Sequence, residues 1–214
     1  MNFDLVAPWY ETLERIAFGD DLQRCRVAYL GEINPPGRVL IAGEGNGRFL
    51  CELLRRYPEI EVDCLDASKR MLQLARRRIE QELPASLKRV RFIHTDIRSW
   101  VAPEHQYDLV VTHFFLDCFQ EPILTGVIKT LARAAAKDAT WLVSEFSIPE
   151  KGIGRIQARC WLGTMYWFFR VTTGIEASEL IDYTPFLSGE GFQLVRQHLF
   201  RNGMLKSELW EKRY

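Results

Sequence analysis

Val39-Leu40-Ile41-Ala42-Gly43-Glu44-Gly45-Asn46-Gly47-Arg48-Phe49 decides the fold. An apolar run suited to a buried strand passes at once into glycines at alternate positions, and an amphipathic segment starts before the glycines have ended. From 46 to 57, Phe49, Leu50, Leu53 and Leu54 share one helical face, and Arg55 and Arg56 lie near the C-terminal end, where the helix dipole favours cations. Glycine-rich turns also occur where a strand and a helix merely meet tightly. Here the strand-to-helix order adds a second property: backbone N–H groups are free to approach a ligand at the start of the helix.

Working outward, short apolar runs alternate with longer amphipathic ones, which implies parallel strands joined by crossover helices. Strands are expected at 38–42, 61–65, 90–94, 108–112 and 140–146. The end of the chain differs: β-compatible runs at 192–200 and 204–211 flank Arg201-Asn202-Gly203, and Asn-Gly is a hairpin signal. Residues 3–30 read as one or two amphipathic helices, cut from the first strand by Asn34-Pro35-Pro36-Gly37. The expected fold is α/β and Rossmann-like, a seven-stranded, mostly parallel sheet with helices on both faces and a C-terminal antiparallel hairpin. One domain spans 1–214: a helical cap (1–37), a ligand-binding core (38–146), a helical aromatic insert (150–190) and the hairpin (191–214).

Composition narrows the partners. Lys plus Arg and Asp plus Glu balance at 28 each, so no overall field attracts nucleic acid. The dense basic run Arg76-Arg77-Arg78 reads as a solvated helix face. Cys25, Cys51, Cys64, Cys118 and Cys160 are scattered without metal-ligand or disulfide spacing, so no metal is expected and reduced, buried thiols are. The N-terminus lacks a basic-then-apolar leader and no run is long enough to span a membrane, from which a cytoplasmic protein is expected.

A dinucleotide loop prefers a third glycine, or alanine, where this chain has Arg48, which disfavours pyrophosphate. Asp66 ends the second strand 19 residues after Gly47, where its carboxylate can accept ribose hydroxyls. With these features in place, residues 39–49 resemble the first motif of class I S-adenosylmethionine-dependent methyltransferases. Leu65-Asp66-Ala67-Ser68-Lys69-Arg70-Met71-Leu72 resembles their second, His94-Thr95-Asp96-Ile97 their third and Tyr107-Asp108-Leu109-Val110-Val111-Thr112-His113 their fourth. The resemblance implies S-adenosyl-L-methionine held by Gly43, Glu44, Gly45, Gly47, Asp66, Ala67, Met71, Asp96, Ile97 and Thr112. In it Asp66 binds ribose, Met71 packs on adenine, Asp96 reaches the adenine amino group and Ile97 gives apolar contact. Many members carry an acidic residue at the position of Ile41; Glu44 either replaces that charge or points outward into water.

A sulfonium methyl is already activated, so the protein mainly positions an acceptor in line, which is worth roughly 7–11 kcal/mol. His113, at the carboxyl edge of the fourth strand, is the candidate base; Asp117, four residues on, would orient it if 114–119 were helical. The other role for His113 is cofactor contact or capping, and Glu145 is a further candidate at the same edge. The insert carries Trp161, Tyr166 and Trp167, too aromatic for water, and reads as an acceptor wall together with Tyr10 from the cap; a packing helix or a homodimer contact is the alternative. A small, partly apolar or aromatic methyl acceptor follows, against a non-catalytic nucleotide sensor or scaffold and an NAD(P)-dependent oxidoreductase.

Overall fold

A computed structural model describes residues 4, 7, 10–149, 163 and 180–213. Two helices, α1 (Tyr10–Phe18) and α2 (Asp21–Val27), precede β1 (Arg38–Ala42). Then come α3 (Arg48–Arg56), β2 (Glu61–Asp66), α4 (Lys69–Glu82), β3 (Val90–His94), β4 (Tyr107–His113), α5 (Glu121–Ala134) and β5 (Ala135–Phe146). A short helix, Thr184–Gly189, leads to β6 (Phe192–Phe200) and β7 (Leu205–Lys212).

The strands form one seven-stranded sheet in the order β3-β2-β1-β4-β5-β7-β6. The first five strands pair in parallel, and β7 runs antiparallel between β5 and β6. β1 is buried on both faces, as a central parallel strand must be. Val39 and Ile41 join the cluster of α3 and α4 through Phe49, Leu50, Leu54 and Ile79; Leu40 and Ala42 join that of α5 through Val127, Ile128 and Leu131. The chain leaves β1 toward β2 on one side and returns to β4 on the other, so a crevice opens at their carboxyl ends, where ligands of open α/β sheets bind.

β5 begins five residues earlier than its apolar run, because Ala135 follows α5 directly and pairs with Tyr107 across an irregularity in β4. The hairpin loop is longer than a two-residue Asn-Gly turn: Phe200 pairs with Leu205, and Arg201, Asn202 and Gly203 all take left-handed φ of 49°, 54° and 86°. In β7 the fully buried Glu208 accepts from Tyr183 Oη at 2.8 Å, Trp210 Nε1 at 3.0 Å and Gln197 Nε2 at 2.8 Å, which offsets the cost of burying its charge. Cys25, Cys51, Cys64 and Cys118 are free and buried, and no helix among the described residues is long and apolar enough to cross a membrane.

Candidate active site

The three loop glycines all have left-handed φ, yet each serves a different purpose. A Cβ on Gly43 (φ 74°) would stand 2.3 Å from the Phe115 ring, and one on Gly47 (φ 85°) would stand 2.8 Å from Ala75 Cα in α4. These two glycines let side chain and helix close on the loop. At Gly45 (φ 71°) nothing lies within 4 Å, so this is the face left open for a ligand. The Gly45 N–H donates to Asp66 Oδ2 at 3.2 Å, and the Ser68 N–H donates to Asp66 Oδ1 at 2.8 Å. Burial outweighs these bonds and lifts the Asp66 pKa to about 6. Each oxygen keeps a lone pair for a further donor. Ser68 caps α4 by accepting from the Met71 N–H at 3.1 Å, and its hydroxyl donates to Asp4.

Glu44 does not point outward. Gly47 is the N-cap of α3 and has no side chain to satisfy the first-turn N–H groups; Glu44 folds back and accepts from the Leu50 N–H at 3.0 Å. Burial raises its pKa to about 7. Ile41 is buried in the α3-side core, so the carboxylate near the loop comes from the loop itself and not from the strand.

Beside the loop lies a cavity of about 90 Å³ lined by Arg26, Gly43, Glu44, Gly45, Asn46, Asp66, Ala67, Met71, His113, Phe114, Phe115 and Cys118. That is less than the roughly 300 Å³ at which small-molecule pockets begin. It suits the end of a ligand whose remainder lies along the open mouth. Of the residues expected at the site, Gly43, Glu44, Gly45, Asp66, Ala67, Met71 and His113 meet here.

Others do not. Gly47 packs on α4. The Thr112 hydroxyl accepts from Trp141 Nε1 at 2.9 Å inside the sheet and is absent from the cavity wall. Ile97 is buried in the α5-side core, and Asp96 is gripped by Arg98, whose Nε lies 3.0 Å from both carboxylate oxygens and holds the pKa below the usual range. Tyr10 opens α1, but its side chain, with Trp161, Tyr166 and Trp167, lies outside the described residues.

The expected His113–Asp117 pair is not formed. Phe114 takes a left-handed φ of 53°, and the chain resumes a tight 3₁₀ turn only at Leu116–Cys118, so the i, i+4 relation of a helix does not hold. Both ring nitrogens of buried His113 lack a hydrogen-bond partner. Phe49 packs edge-on to the ring at 4.5 Å. Burial, helped by Arg26, pushes the imidazole pKa well below its ordinary value, so the ring is neutral. Asp117 Oδ1 instead accepts from Cys118 Sγ at 3.7 Å. Glu145 holds the turn: its Oε1 accepts from the N–H groups of Phe115 at 3.1 Å and Leu116 at 2.8 Å.

Arg26, Phe114, Phe115 and Cys118 were not singled out from sequence. For Arg26 a signal existed: Leu22, Cys25, Arg26 and Tyr29 are all buried on one stripe of α2 and its continuation, and a charge on an apolar stripe needs a partner.

The switch-point crevice, the glycine loop and the carboxylate ending β2 stand together in an α/β sheet of the methyltransferase type. Residues 39–138 match the family described as "Methyltransferase domain". A malonyl-[acyl-carrier protein] O-methyltransferase from Paenibacillus sp. is 31% identical over 111 residues, 47% of this chain and 38% of that protein. A demethylmenaquinone methyltransferase from Deinococcus radiodurans is 29% identical over 153 residues, 71% of this chain and 61% of that protein. The chain thus spans less than two thirds of these relatives. Among solved structures, an N-methyltransferase from Bradyrhizobium japonicum in complex with S-adenosyl-L-homocysteine has TM-score 0.61 and 14% identity, covering 91% of this chain and 85% of that one; this likeness is one of fold. The match to a methyltransferase domain thus covers residues 39–138, a little under half of the chain.

Proposed function

We propose that this protein transfers the methyl group of S-adenosyl-L-methionine to a small, partly apolar or aromatic acceptor. The observation that carries the reading is the contact between the open Gly45 and the Asp66 carboxylate at the mouth of a cavity that also holds Glu44 and His113. Asp66 takes the ribose hydroxyls, Ala67 and Met71 face the base, and Glu44 faces the donor's ammonium. The apolar Phe114 and Phe115 exclude water from the reacting end. His113, neutral and unpartnered, is the group able to accept a proton from an acceptor hydroxyl or amine. The aromatic insert with Trp161, Tyr166 and Trp167, and Tyr10 from the cap, would complete the acceptor wall.

Calorimetry with S-adenosylmethionine, S-adenosylhomocysteine and NADH tests the donor. Binding of NADH alone would overturn the proposal. Binding of the methyl donor without turnover across a broad panel of phenols, quinones, amines and carboxylic acids would turn the reading toward a sensor.

A further inference from the structure

Glu145 stands at the carboxyl end of β5, 1% exposed, and is not part of the cavity wall. Its Oε1 spends both lone pairs on the N–H groups of Phe115 and Leu116, while Oε2 is buried without a hydrogen-bond partner. Lys206, directly across in β7, is committed elsewhere: its Nζ lies 3.2 Å from Glu208 Oε1 and 4.3 Å from the Tyr183 ring centroid. Burial, with the charge of Asp117 second to it, pushes the Glu145 pKa well above the ordinary carboxylate range, against the opposing pull of the two N–H groups and Lys206. A neutral carboxyl group with one oxygen spent on two amides is suited to holding a shape.

The turn it holds reaches the donor loop. Phe114, Phe115 and Cys118 line the cavity beside Gly43, and the Phe115 ring occupies the space that a side chain on Gly43 would need. The same ring stands edge-on to Phe119 at 5.1 Å. Gly43 in turn donates its N–H at 2.8 Å to the carbonyl of Leu65, the residue before Asp66. Two kinds of contact, hydrogen bonds and one ring, therefore run along the carboxyl edge from β5, through the turn after β4, to the loop after β1 and the end of β2. Phe114, with φ of 53°, sits in a conformation that costs energy in a residue with a Cβ, so the turn persists because its surroundings hold it. Without the Glu145 oxygen, the Phe115 and Leu116 N–H groups would also lose their acceptor.

We propose, resting on the donor assignment above, that Glu145 is a positioning residue for the donor site: by clamping the Phe114–Cys118 turn from β5, it seats the Phe115 ring on Gly43 and fixes the glycine loop in the shape that takes the methyl donor. It acts through Phe115 and touches neither donor nor acceptor.

A double-mutant cycle of Glu145→Leu and Phe115→Ala, read by calorimetry with S-adenosylhomocysteine on the full chain, tests this coupling. Glu145→Leu removes the acceptor oxygen and weakens S-adenosylhomocysteine about tenfold, within the range for residues coupled in one network. Phe115→Ala weakens it as well, and the double variant binds no more weakly than Phe115→Ala, because the route through the ring is already cut. Glu145→Gln keeps an accepting oxygen in place and restores most of the affinity. Glu145→Asp, a methylene short of the two N–H groups, gives a smaller loss that again vanishes in the Phe115→Ala background; it keeps the cycle open if Glu145→Leu folds poorly. Losses that multiply in the double variant overturn the proposal, as does Glu145→Leu that lowers Tm and leaves affinity unchanged, which is the behaviour of a purely structural residue. Glu145→Gln that binds as weakly as Glu145→Leu overturns it too. Wild-type protein that does not bind S-adenosylhomocysteine overturns the donor assignment itself and this inference with it.

Discussion

Gly45→Ala and Gly47→Ala add the same methyl group to the same loop, and the structure separates their consequences. Both positions have left-handed φ, 71° and 85°, so each alanine carries a backbone cost of about 1–2 kcal/mol. At Gly45 nothing within 4 Å meets the new carbon, and the cost stops there. At Gly47 the Cβ arrives 2.8 Å from Ala75 Cα and 3.2 Å from its carbonyl oxygen. Those are backbone atoms of a helix anchored by buried Met71, Leu72, Ala75 and Ile79, so they cannot step aside alone. Overpacking of this kind adds about 1–3 kcal/mol. For a chain of this size each kcal/mol moves Tm by about 2–4 °C, so Gly45→Ala should lower Tm by about 2–8 °C and Gly47→Ala by about 4–20 °C. Binding should run the other way. A methyl on the open face at Gly45 intrudes on the ligand and should weaken S-adenosylhomocysteine at least tenfold, about 1.4 kcal/mol, while the fold survives. Thermal unfolding by circular dichroism and calorimetry with S-adenosylhomocysteine read the two effects. Gly45→Ala that binds as wild type, or that unfolds as early as Gly47→Ala, refutes the division of roles.

Asp66→Ala removes the ribose acceptors and also two backbone hydrogen bonds; donor affinity should fall more than tenfold by calorimetry, with a stability loss of about 1–3 kcal/mol in urea, and unchanged affinity would mean that the ribose lies elsewhere. Glu44 and Asp66 have folded-state pKa values of about 7 and about 6, above their ordinary ones. The folded state therefore binds more protons than the unfolded one between about pH 4 and 7, and the stability these groups contribute at acid pH is lost as pH rises through that window. Glu44→Gln should flatten this slope in urea titrations at several pH values; an identical slope would refute the assignment. Donor binding has the opposite sign: an ammonium beside Glu44 favours its ionised form, so S-adenosylhomocysteine should bind more tightly above about pH 7 than below it, and Glu44→Gln should remove that dependence. His113→Gln should lower kcat by about 10²- to 10⁴-fold at unchanged donor affinity if the ring takes the acceptor's proton; an unchanged kcat would leave His113 as part of the cavity wall.

What could be read from the chain was what the backbone dictates locally. The loop after β1 needs positive φ at alternate positions, only glycine takes it without strain, and Asp66 ends its strand at a fixed distance; both are properties of short stretches. The orphan N–H groups at the start of α3 were equally local. A helix capped by Gly47 must find an acceptor elsewhere, and Glu44, three residues before it, is within reach, so the inward turn of that side chain follows from helix capping alone. The His113–Asp117 expectation failed for the converse reason. A spacing of four residues implies a shared face only if every intervening residue is helical, and nothing in a phenylalanine announces the left-handed conformation of Phe114. That conformation accompanies two contacts distant in sequence: Glu145 accepting the N–H groups of Phe115 and Leu116, and the Phe115 ring lying against Gly43. Arg26 stands between the two cases. Its place on the apolar stripe of α2 marked it as a buried charge, but which carboxylate and which cavity it would meet depended on how α1 and α2 lie across the carboxyl edge of the sheet, a relation no short window of sequence contains.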